Sequence, residues 1–426
     1  MKNVKVKLLM ILLLFIWLVF CSQGDSNDAN VPGESERIRE LYDHYDDYFK
    51  ELLNYIVTAT GKEVIKYETI NAGALTKKVT ITGSYYDLGF HIGMMGREMG
   101  IFPRMRTSAS QGINNDIVDM YEVIYPRFLE KVRGVADANG LTMEDIDLRH
   151  LECDYFFEIA WELFKYNDFE ELARFGQSLD SCSLASYYLE PEKENIIGRN
   201  FDFSYDVPRF LVISNIDGVY KTIANTGWAL NQWIMDGINE KGLFIGGASN
   251  EEVEKYRSYG NQPYPQEPAV DFFHLQRIIL ERCGTVEEAV ELIGKTKVWF
   301  STTYMHFLMA DEAGNAVVME FDREGNMIPF YRDKDKAYLH VTNTALQEGP
   351  DIVRSRCWRY RTAENLLEPG INTIGDLLDV MKAIQMWPNS GAKTLWISLV
   401  DLSKKAIDVR FWEEDHDISH PFNFNY

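Results

Sequence analysis

The sequence around Cys182 brings together residue types that could act in nucleophilic catalysis. Cys182 begins a segment with the two-residue alternation of a β-strand, and a second such segment carries Arg199 and Asp202. A turn centred near Glu192 joins the two segments and would place Cys182 opposite Asp202. We therefore predict that a thiol, a guanidinium group and a carboxylate meet at one end of a β-hairpin.

Each of these groups has a role in thiol chemistry. A guanidinium group beside a thiol favours the thiolate and lowers the pKa of the cysteine. Cleavage between Ser181 and Cys182 would release an α-amine with a pKa of about 7.7–8.0, so part of it would be neutral near pH 7. Such an amine could take the thiol proton, and Asp202 could hold the amine in place.

The spacing of Arg199 and Asp202 raises a geometric difficulty. They are an odd number of residues apart, so a regular strand would direct their side chains to opposite faces of the sheet. Both reach the sulfur only if a bulge or a strand end interrupts the alternation there. Taken alone, Cys182 also has the simpler interpretation of a small buried apolar residue.

The predicted elements change in type near Cys182. Apolar residues recur at helical spacing through most of residues 35–176, whereas the alternation from Cys182 onward has a period of two. Two pairs of predicted helices, within residues 270–292 and 352–385, interrupt the strands. We predict an α+β fold in which a strand-rich, layered domain over residues 182–426 follows a mainly helical segment over residues 35–181. The elements predicted in that segment include Val79–Gly83 (strand), Tyr86–Met99, Asn115–Ala138, Met143–Phe157 and Ile159–Phe175 (helices).

Residues 1–21 have the pattern of an export signal. Lys2, Lys5 and Lys7 precede an uncharged apolar run, Leu8–Phe20, which is too short to span a bilayer comfortably. Cys21 follows this run at a position that resembles a bacterial lipoprotein cleavage site, so lipidation of Cys21 and ordinary signal cleavage nearby both stay open. Residues 22–34 form a polar linker. We expect an extracytoplasmic protein that contacts a membrane only through a lipid on Cys21.

The composition argues against several classes of function. The 426 residues include 65 acidic and 43 basic ones, and the formal net charge of −22 disfavours binding to nucleic acid. The eight histidines form no pair with metal-binding spacing, so we predict neither a metal nor a cofactor. Cys153, Cys283 and Cys357 lie on apolar faces of predicted helices. We predict buried thiols there, although export would permit one disulfide among them.

Further motifs accompany Cys182 in a fixed order along the chain. Together they resemble the N-terminal-nucleophile hydrolases of the choloylglycine hydrolase and penicillin acyltransferase group. The upstream motif resembles the propeptide of the acyl-coenzyme A:6-aminopenicillanic acid acyltransferase branch, and the resemblance extends from about residue 80 to the end of the chain. The motifs are Gly83-Ser84-Tyr85-Tyr86-Asp87-Leu88-Gly89 with Gly93, Gly198-Arg199-Asn200-Phe201-Asp202, Asp236-Gly237-Ile238-Asn239-Glu240-Lys241-Gly242-Leu243, Gly247-Ala248-Ser249-Asn250, Val341-Thr342-Asn343, and Arg359-Tyr360 at the start of a helix.

The resemblance implies a four-layer αββα sandwich and a precursor that cleaves itself between Ser181 and Cys182. It also implies hydrolysis or acyl transfer at a linear, non-peptide amide of a small N-acyl substrate, through a thioester on the nucleophile Cys182. The residues before Cys182 then form a propeptide, which the mature protein could retain. By motif match Arg199 and Asp202 support the nucleophile, Asn250 and Asn343 supply oxyanion or amine contacts, and Arg359 belongs to the site, although Arg354, Arg356 and Arg361 lie in the same stretch.

Three other interpretations stay open. A papain-like cysteine protease would use Cys182 with His340 and Asn343, but the sequence around Cys182 lacks the signature of that family. A surface-anchored binding lipoprotein would keep the fold without catalysis. An enzyme of the predicted type could also act on lipid amides, as acid ceramidase and N-acylethanolamine amidase do.

Overall fold

The alternating segments after Cys182 form two β-sheets in a computed structural model of the chain. The chain divides into two units, Met1–Leu41 and Tyr42–Tyr426, and both sheets belong to the larger unit. The structure describes residues 34–69, 76–107, 110–149, 151, 182–203, 209–227, 234–250, 265–299, 304–321, 326–387, 393–413 and 416–424. The predicted signal segment, Cys21 and residues 22–33 of the predicted linker lie outside these ranges. No helix within them is long and apolar enough to cross a membrane.

The described strands pair mainly in antiparallel fashion. In chain order they are β1 (Ile65–Thr69), β2 (Thr76–Gly83), β3 (Ser183–Leu189), β4 (Glu194–Phe203), β5 (Arg209–Ile216), β6 (Thr222–Gly227), β7 (Ile234–Asn239), β8 (Leu243–Ser249), β9 (Val270–Asp271), β10 (Val298–Trp299), β11 (Met305–Asp311), β12 (Ala316–Phe321), β13 (Met327–Tyr331), β14 (Tyr338–Val341), β15 (Lys393–Asp401), β16 (Ala406–Glu413) and β17 (His416–Asn423). One sheet has the order β1-β2-β5-β6-β7-β8-β11-β12-β13 and the other β14-β3-β4-β15-β16-β17, while β9 and β10 pair with each other.

Helices cover the outer faces of the two sheets. In chain order they are α1 (Glu34–Thr60), α2 (Tyr85–Met99), α3 (Gln111–Ile124), α4 (Pro126–Ala138), α5 (Phe272–Arg282), α6 (Val286–Gly294), α7 (Pro350–Arg356), α8 (Trp358–Leu367) and α9 (Ile374–Ala383). Helices α5 and α6 contact strands of the nine-stranded sheet, and α8 and α9 contact the six-stranded sheet.

Two apolar cores hold these layers together. The larger core includes the space between the sheets, where Leu184 and Ile197 of one sheet join Phe244 and Leu308 of the other; a Cβ atom on Gly246 there would lie 2.7 Å from the Leu184 side chain. A second core packs Leu377 and its neighbours on α9 against the outer face of the six-stranded sheet. Burial of both faces of each sheet explains the nearly continuous apolar runs of the central strands. The architecture is the predicted α+β sandwich with αββα layering.

The segment before Cys182 is part of the same fold. Its strand β2 pairs in parallel with β5, so β1 and β2 extend the nine-stranded sheet. The prediction of one strand, Val79–Gly83, captured the end of β2 and missed β1. The register joins Thr76 to Arg209 and continues to Gly83 and Ile216, so the pairing runs the full length of both strands.

Two helices predicted in this segment have different boundaries in the structure. The single helix predicted over Asn115–Ala138 is wrong, because Tyr125 adopts a non-helical conformation before Pro126, which begins α4. The helix predicted from Met143 is only a 3₁₀ turn over Met143–Asp145 at its start, and residues 152–157 of it lie outside the described ranges. The helix predicted over Ile159–Phe175 lies outside them entirely.

Helices α2 and α4 approach each other closely because glycines face the contact. A Cβ atom on Gly89 would lie 1.9 Å from the carbonyl oxygen of Lys131, and one on Gly134 would lie 2.2 Å from that of Tyr86. No larger residue fits at either position without separating the helices. This contact gives a physical reason for the glycine in the upstream motif.

A buried polar cluster joins the N-terminal segment to α5. The hydroxyl groups of Tyr85 and Tyr125 both donate hydrogen bonds to the carboxylate of Glu281. Burial raises the pKa of each tyrosine well above the usual value for tyrosine, and the nearby Glu281 raises both pKa values further. The two hydroxyls therefore stay protonated and act as donors to a carboxylate that no solvent reaches.

Candidate active site

Cys182 lies directly before β3 and is 2% exposed. The hairpin that follows is the predicted one, but its register is shifted by one residue: Ser183 pairs with Asn200 and Leu189 with Glu194. Continued by one position, this register puts Phe201 across from Cys182, so the predicted pairing of Cys182 with Asp202 is wrong. The four-residue turn closes with Lys193 at a positive φ of 55°, and its centre therefore falls earlier than predicted.

Arg199 on β4 makes the contact with the thiol that the sequence predicted. One amino group of Arg199 lies 3.5 Å from the sulfur of Cys182 and also donates to the carbonyl oxygen of Gly247, at 3.1 Å. The other amino group pairs with Asp236 on β7 at 2.9 Å, and neither charged side chain is exposed to solvent. The guanidinium group therefore presents a fixed positive charge to the sulfur in surroundings that exclude water.

Asp236 is a residue of the site that the sequence reasoning did not single out, although it begins one of the motifs. Its carboxylate accepts hydrogen bonds from Asn225, Trp396 and Ser398 in addition to Arg199. Four donors, one on β4, one on β6 and two on β15, thus satisfy a fully buried charge. Its pairing across the two sheets was the missing signal, since Asp236 and Arg199 belong to different sheets.

Arg359 on α8 connects several of the predicted site residues. One of its amino groups donates to the carbonyl oxygen of Cys182 at 3.2 Å, to the hydroxyl of Ser183 at 3.1 Å and to Asp202 at 3.0 Å. The other donates to the side-chain oxygen of Asn343 at 2.6 Å. The start of α8 is fixed by Cys357, whose sulfur accepts the backbone N–H of Tyr360.

The neighbouring arginines face away from this cluster. Arg354 pairs with Glu364, Arg356 lies 4.0 Å from Glu348, and Arg361 donates to the carbonyl oxygen of Arg354. Of the four arginines in this stretch, the structure thus brings Arg359 to the site.

Asp202 faces Arg359 and the hydroxyl of Thr394 rather than the sulfur itself. Burial raises the pKa of this carboxyl group from 3.8 to about 6, although Arg359, Thr394 and Arg199 each lower it in part. The register of β15 against β4 shifts between Thr394 and Trp396, opposite Asp202 and Phe201. A bulge therefore does interrupt the sheet here, but on the neighbouring strand. Arg199 contacts the sulfur of Cys182, whereas Asp202 is connected to the carbonyl oxygen of Cys182 through Arg359.

Asn343 and Asn250 lie at adjacent strand ends and are both buried. The side-chain nitrogen of Asn343 donates to the carbonyl oxygen of Ser249 at 2.9 Å and to its hydroxyl at 2.8 Å. The side-chain oxygen of Asn250 has no partner among the described residues. Arg359 thus connects the amide of Asn343 to the carbonyl oxygen of Cys182, whereas Asn250 is placed only by its backbone, whose N–H donates to the carbonyl oxygen of Tyr304.

His340 is not arranged as the partner of a papain-like cysteine. Its Nε2 lies 3.1 Å from the carbonyl oxygen of Tyr360, and its ring lies against the rings of Tyr338 and Tyr360. Burial lowers the pKa of His340 to about 4. The histidine is therefore a neutral buried residue on β14 whose contacts are with tyrosines.

The other described cysteines differ from Cys182 in their surroundings. Cys283 is a free, buried thiol, as predicted, whereas Cys357 is a free thiol that is only half-buried, so the prediction of a buried thiol there is wrong. Cys153 lies outside the described ranges. Burial raises the pKa of Cys283 to about 12, which makes this thiol a poor nucleophile. Among the thiols that the structure describes, Cys182 is the one with an arginine amino group at its sulfur.

The pKa of Asp202 leads to a testable pH dependence in the uncut chain. Because the folded carboxyl holds its proton more tightly than the unfolded one, its contribution to stability is fully present below about pH 4 and is lost as the pH rises through about 6. The expected loss is about 3 kcal/mol. Chemical denaturation of a Cys182→Ala chain across this range measures it. The Cys182→Ala/Asp202→Asn chain is the control and should lack this component; equal pH profiles for the two chains would contradict the assignment.

Comparisons with known proteins extend these observations. A family model described as acyl-coenzyme A:6-aminopenicillanic acid acyl-transferase matches residues 189–415. This span is more than half of the chain; it includes Arg199, Asp202, Asn343 and Arg359, and it begins after Cys182. A search of curated proteins gave no match.

Solved structures with low sequence identity also resemble the chain. Penicillin V acylase from Agrobacterium tumefaciens is 15% identical over 57% of this chain and 86% of its own, with a TM-score of 0.42. A variant of the conjugated bile acid hydrolase from Clostridium perfringens is 16% identical over 57% and 92%, with a TM-score of 0.42. The Caenorhabditis elegans ortholog of N-acylethanolamine-hydrolyzing acid amidase is 16% identical over 52% and 93%, with a TM-score of 0.38.

Proposed function

Because this chain belongs to the acyl-coenzyme A:6-aminopenicillanic acid acyl-transferase family and is an enzyme of amide hydrolysis or acyl transfer, we propose that it works through Cys182. In this proposal the chain cleaves itself before Cys182, and the new N-terminal cysteine attacks small N-acyl amides. The acyl group passes through a thioester to water or to an amine. The proposal keeps both outcomes, hydrolysis and transfer, within one mechanism.

The contact between Arg199 and the sulfur of Cys182 is the observation that carries this proposal. A guanidinium amino group 3.5 Å from a sulfur stabilises the thiolate over the thiol, and burial strengthens the effect. Asp236 holds the guanidinium group from the other side, so the charge cannot turn away. A structural cysteine has no need of such an arrangement, which places two buried charges beside it at a desolvation cost.

The α-amine of Cys182 carries the proton between the thiol and the leaving nitrogen in the proposed reaction. The free α-amine of Cys182 takes the thiol proton, and the thiolate attacks the carbonyl carbon of the amide. As the C–N bond breaks, the α-ammonium returns the proton to the leaving nitrogen, which leaves a thioester. Water or an amine then attacks the thioester and restores the thiol. Asp202 would hold the α-amine. Its carboxylate accepts a hydrogen bond from the same Arg359 amino group that donates to the carbonyl oxygen of Cys182, so Arg359 already connects Asp202 to this residue.

The tetrahedral intermediate requires donors aimed at its negatively charged oxygen. Asn250 and Asn343 are the proposed amide donors, and their burial would keep water away from that oxygen. In the uncut chain both N–H groups of Asn343 point at Ser249, so Asn343 would turn one of them to the intermediate. Arg359 accompanies this change, since it donates to the oxygen of the same amide.

We further propose that the N-terminal segment stays bound after cleavage. Two features support this: β2 is an internal strand of the nine-stranded sheet, and Tyr85 and Tyr125 donate to Glu281 in the interior. Separation would expose the edge of β5 and leave a buried carboxylate without its donors. We also propose that the precursor is exported, and the pattern of residues 1–21 supports this. After export its N-terminus would either carry a lipid on Cys21 or result from ordinary signal cleavage nearby.

Mass spectrometry of the purified protein tests the proposal directly. Under denaturing conditions we expect two chains, the second of which begins at Cys182 and ends at Tyr426. Under native conditions both chains should elute together as one species. The N-terminal residue of the first chain, and any diacylglyceryl mass on Cys21, would report export processing. A single intact chain that also resists thiol-directed reagents at Cys182 would overturn the catalytic proposal and favour a binding protein on the same fold.

Substrate class would follow from an activity panel. N-acyl amino acids, conjugated bile acids, penicillins and N-acylethanolamines share the linear amide and differ in the acyl chain and the amine. The release of free amine from any of them, lost in a Cys182→Ala chain, would identify the acyl group that the site accepts.

A further inference from the structure

A second pair of buried ionisable residues lies one layer away from the cluster around Cys182. His306 on β11 and Glu320 on β12 are neighbours on adjacent strands, and neither side chain is exposed to solvent. Nδ1 of His306 lies 2.9 Å from an oxygen of Glu320, and Nε2 lies 2.5 Å from the carbonyl oxygen of Thr342. Both ring nitrogens thus face acceptors.

Glu320 and His306 both bind the loop that follows β14. The two carboxylate oxygens of Glu320 accept backbone N–H groups from Leu346, at 2.7 Å, and from Gln347, at 3.2 Å. The carbonyl oxygen of Thr342 can only accept a hydrogen bond, so Nε2 of His306 carries a proton and donates it to this oxygen.

The pair therefore holds both ends of one loop. Nε2 of His306 binds the loop at Thr342, and Glu320 binds it at Leu346 and Gln347. Asn343, next to Thr342, links Arg359 to Ser249. A displacement at Thr342 would pass directly to the Asn343 amide, because the two residues share a peptide bond.

We propose that the His306–Glu320 pair is a positioning device that sets Asn343, and through it Arg359, for the reaction at Cys182. This inference rests on the proposed function, since it assigns the loop a role in that reaction. The pair itself contacts neither the Cys182 sulfur nor any group proposed to meet the substrate. The pair contributes by fixing the position of the Asn343 amide. A displacement of such a group by about 1 Å can lower the reaction rate about 100-fold.

Two substitutions separate the two contacts of the imidazole. In His306→Asn the side-chain amide nitrogen replaces Nδ1, so the contact with Glu320 remains and the contact with Thr342 is lost. In His306→Gln the longer side chain brings its amide nitrogen to the position of Nε2, so the contact with Thr342 is retained. We expect kcat of His306→Asn to be about 10- to 100-fold lower than that of the unchanged enzyme, with KM changed by less than about threefold. In His306→Gln, kcat should be close to that of the unchanged enzyme, because the contact with Thr342 is kept.

His91 supplies a matched control for the loss of a buried bridging imidazole. Its Nδ1 lies 2.8 Å from the carbonyl oxygen of Asp87, and its Nε2 lies 3.1 Å from that of Lys62. The imidazole of His91 thus also faces two acceptors, but both of them belong to the N-terminal segment. His91→Asn and His91→Gln should reduce the melting temperature without a change in kcat. If His306→Asn lowers the melting temperature alone and keeps kcat within about twofold of the unchanged enzyme, the pair has only a structural role.

A spectroscopic measurement tests the pair without any substrate. With ¹⁵N-labelled histidine, and with assignment by comparison with His306→Asn, Nε2 of His306 should show the shift of a protonated ring nitrogen, in the unchanged chain and in Cys182→Ala, because it donates to the carbonyl oxygen of Thr342. An Nε2 without a proton would overturn the inference whatever the activity. An inactive unchanged enzyme with a protonated Nε2 at His306 would instead count against the proposed function alone.

Discussion

Replacing Cys182 with alanine is expected to give a purified protein that is a single chain and at least ~1,000-fold less active on N-acyl amides, because both self-cleavage and acyl transfer require the same sulfur. Mass spectrometry measures the first effect and the release of free amine the second. The substitution removes a small side chain from a buried position, so the fold should survive.

Cys283→Ala is the matched control for this experiment. Cys283 is also a buried free thiol, but burial raises its pKa to about 12, to which Glu288 adds and from which Arg282 subtracts. This variant should be cut and active like the unchanged chain. If Cys182→Ala were still cut into two chains, the cleavage would come from another protease; if it kept its activity, the nucleophile would lie elsewhere.

Replacing Arg199 with methionine is expected to destabilise the protein by about 3–5 kcal/mol, because Asp236 would remain buried without its positive partner. The same change should raise the pKa of Cys182, since the guanidinium group that favours the thiolate is lost. The rate of alkylation of Cys182 as a function of pH measures this second effect. Urea denaturation of Cys182→Ala/Arg199→Met, compared with that of Cys182→Ala, measures the first in a chain that stays uncut.

A double substitution separates the two roles of Arg199. In Arg199→Met/Asp236→Asn the buried negative charge is removed together with its partner, while the donors Asn225, Trp396 and Ser398 remain near the new amide. We expect most of the lost stability to return and the alkylation of Cys182 to stay slow. Fast alkylation in the double variant would mean that the arginine serves the fold and not the thiol.

The sequence contained enough local information to predict the elements but not their long-range partners. After Cys182, short apolar-rich segments bounded by turn residues predicted most strands, even though the central strands are buried on both faces. The helix prediction failed at Tyr125 because Pro126 starts a new helix and does not continue the old one. The parallel pairing of β2 with β5 joins segments more than a hundred residues apart. No local pattern encodes such a pairing.

The candidate site shows the same division between local and distant information. The hairpin that joins Cys182 to Arg199 was predictable, but only the observed register, one residue from the predicted one, directs Arg199 to the Cys182 sulfur. The turn of this hairpin closes with Lys193 at a positive φ, and Asp202 lies opposite a bulge in β15, about two hundred residues away. Neither feature had a signal in the sequence. Arg359 came from a motif match, and Asp236 was missed because its partner lies in the opposite sheet. Contacts between sheets have no sequence spacing from which they can be inferred.

The parallel pair of β2 and β5 also bears on how long the enzyme lasts once it is made. While the chain is continuous, the two strands find each other within a single molecule; after a cut before Cys182 they would have to meet by diffusion. Heat or denaturant would then separate the pieces for good, and neither could rebuild the shared sheet alone. The working lifetime of such an enzyme is set by the speed of its first unfolding event and not by any balance between folded and unfolded forms.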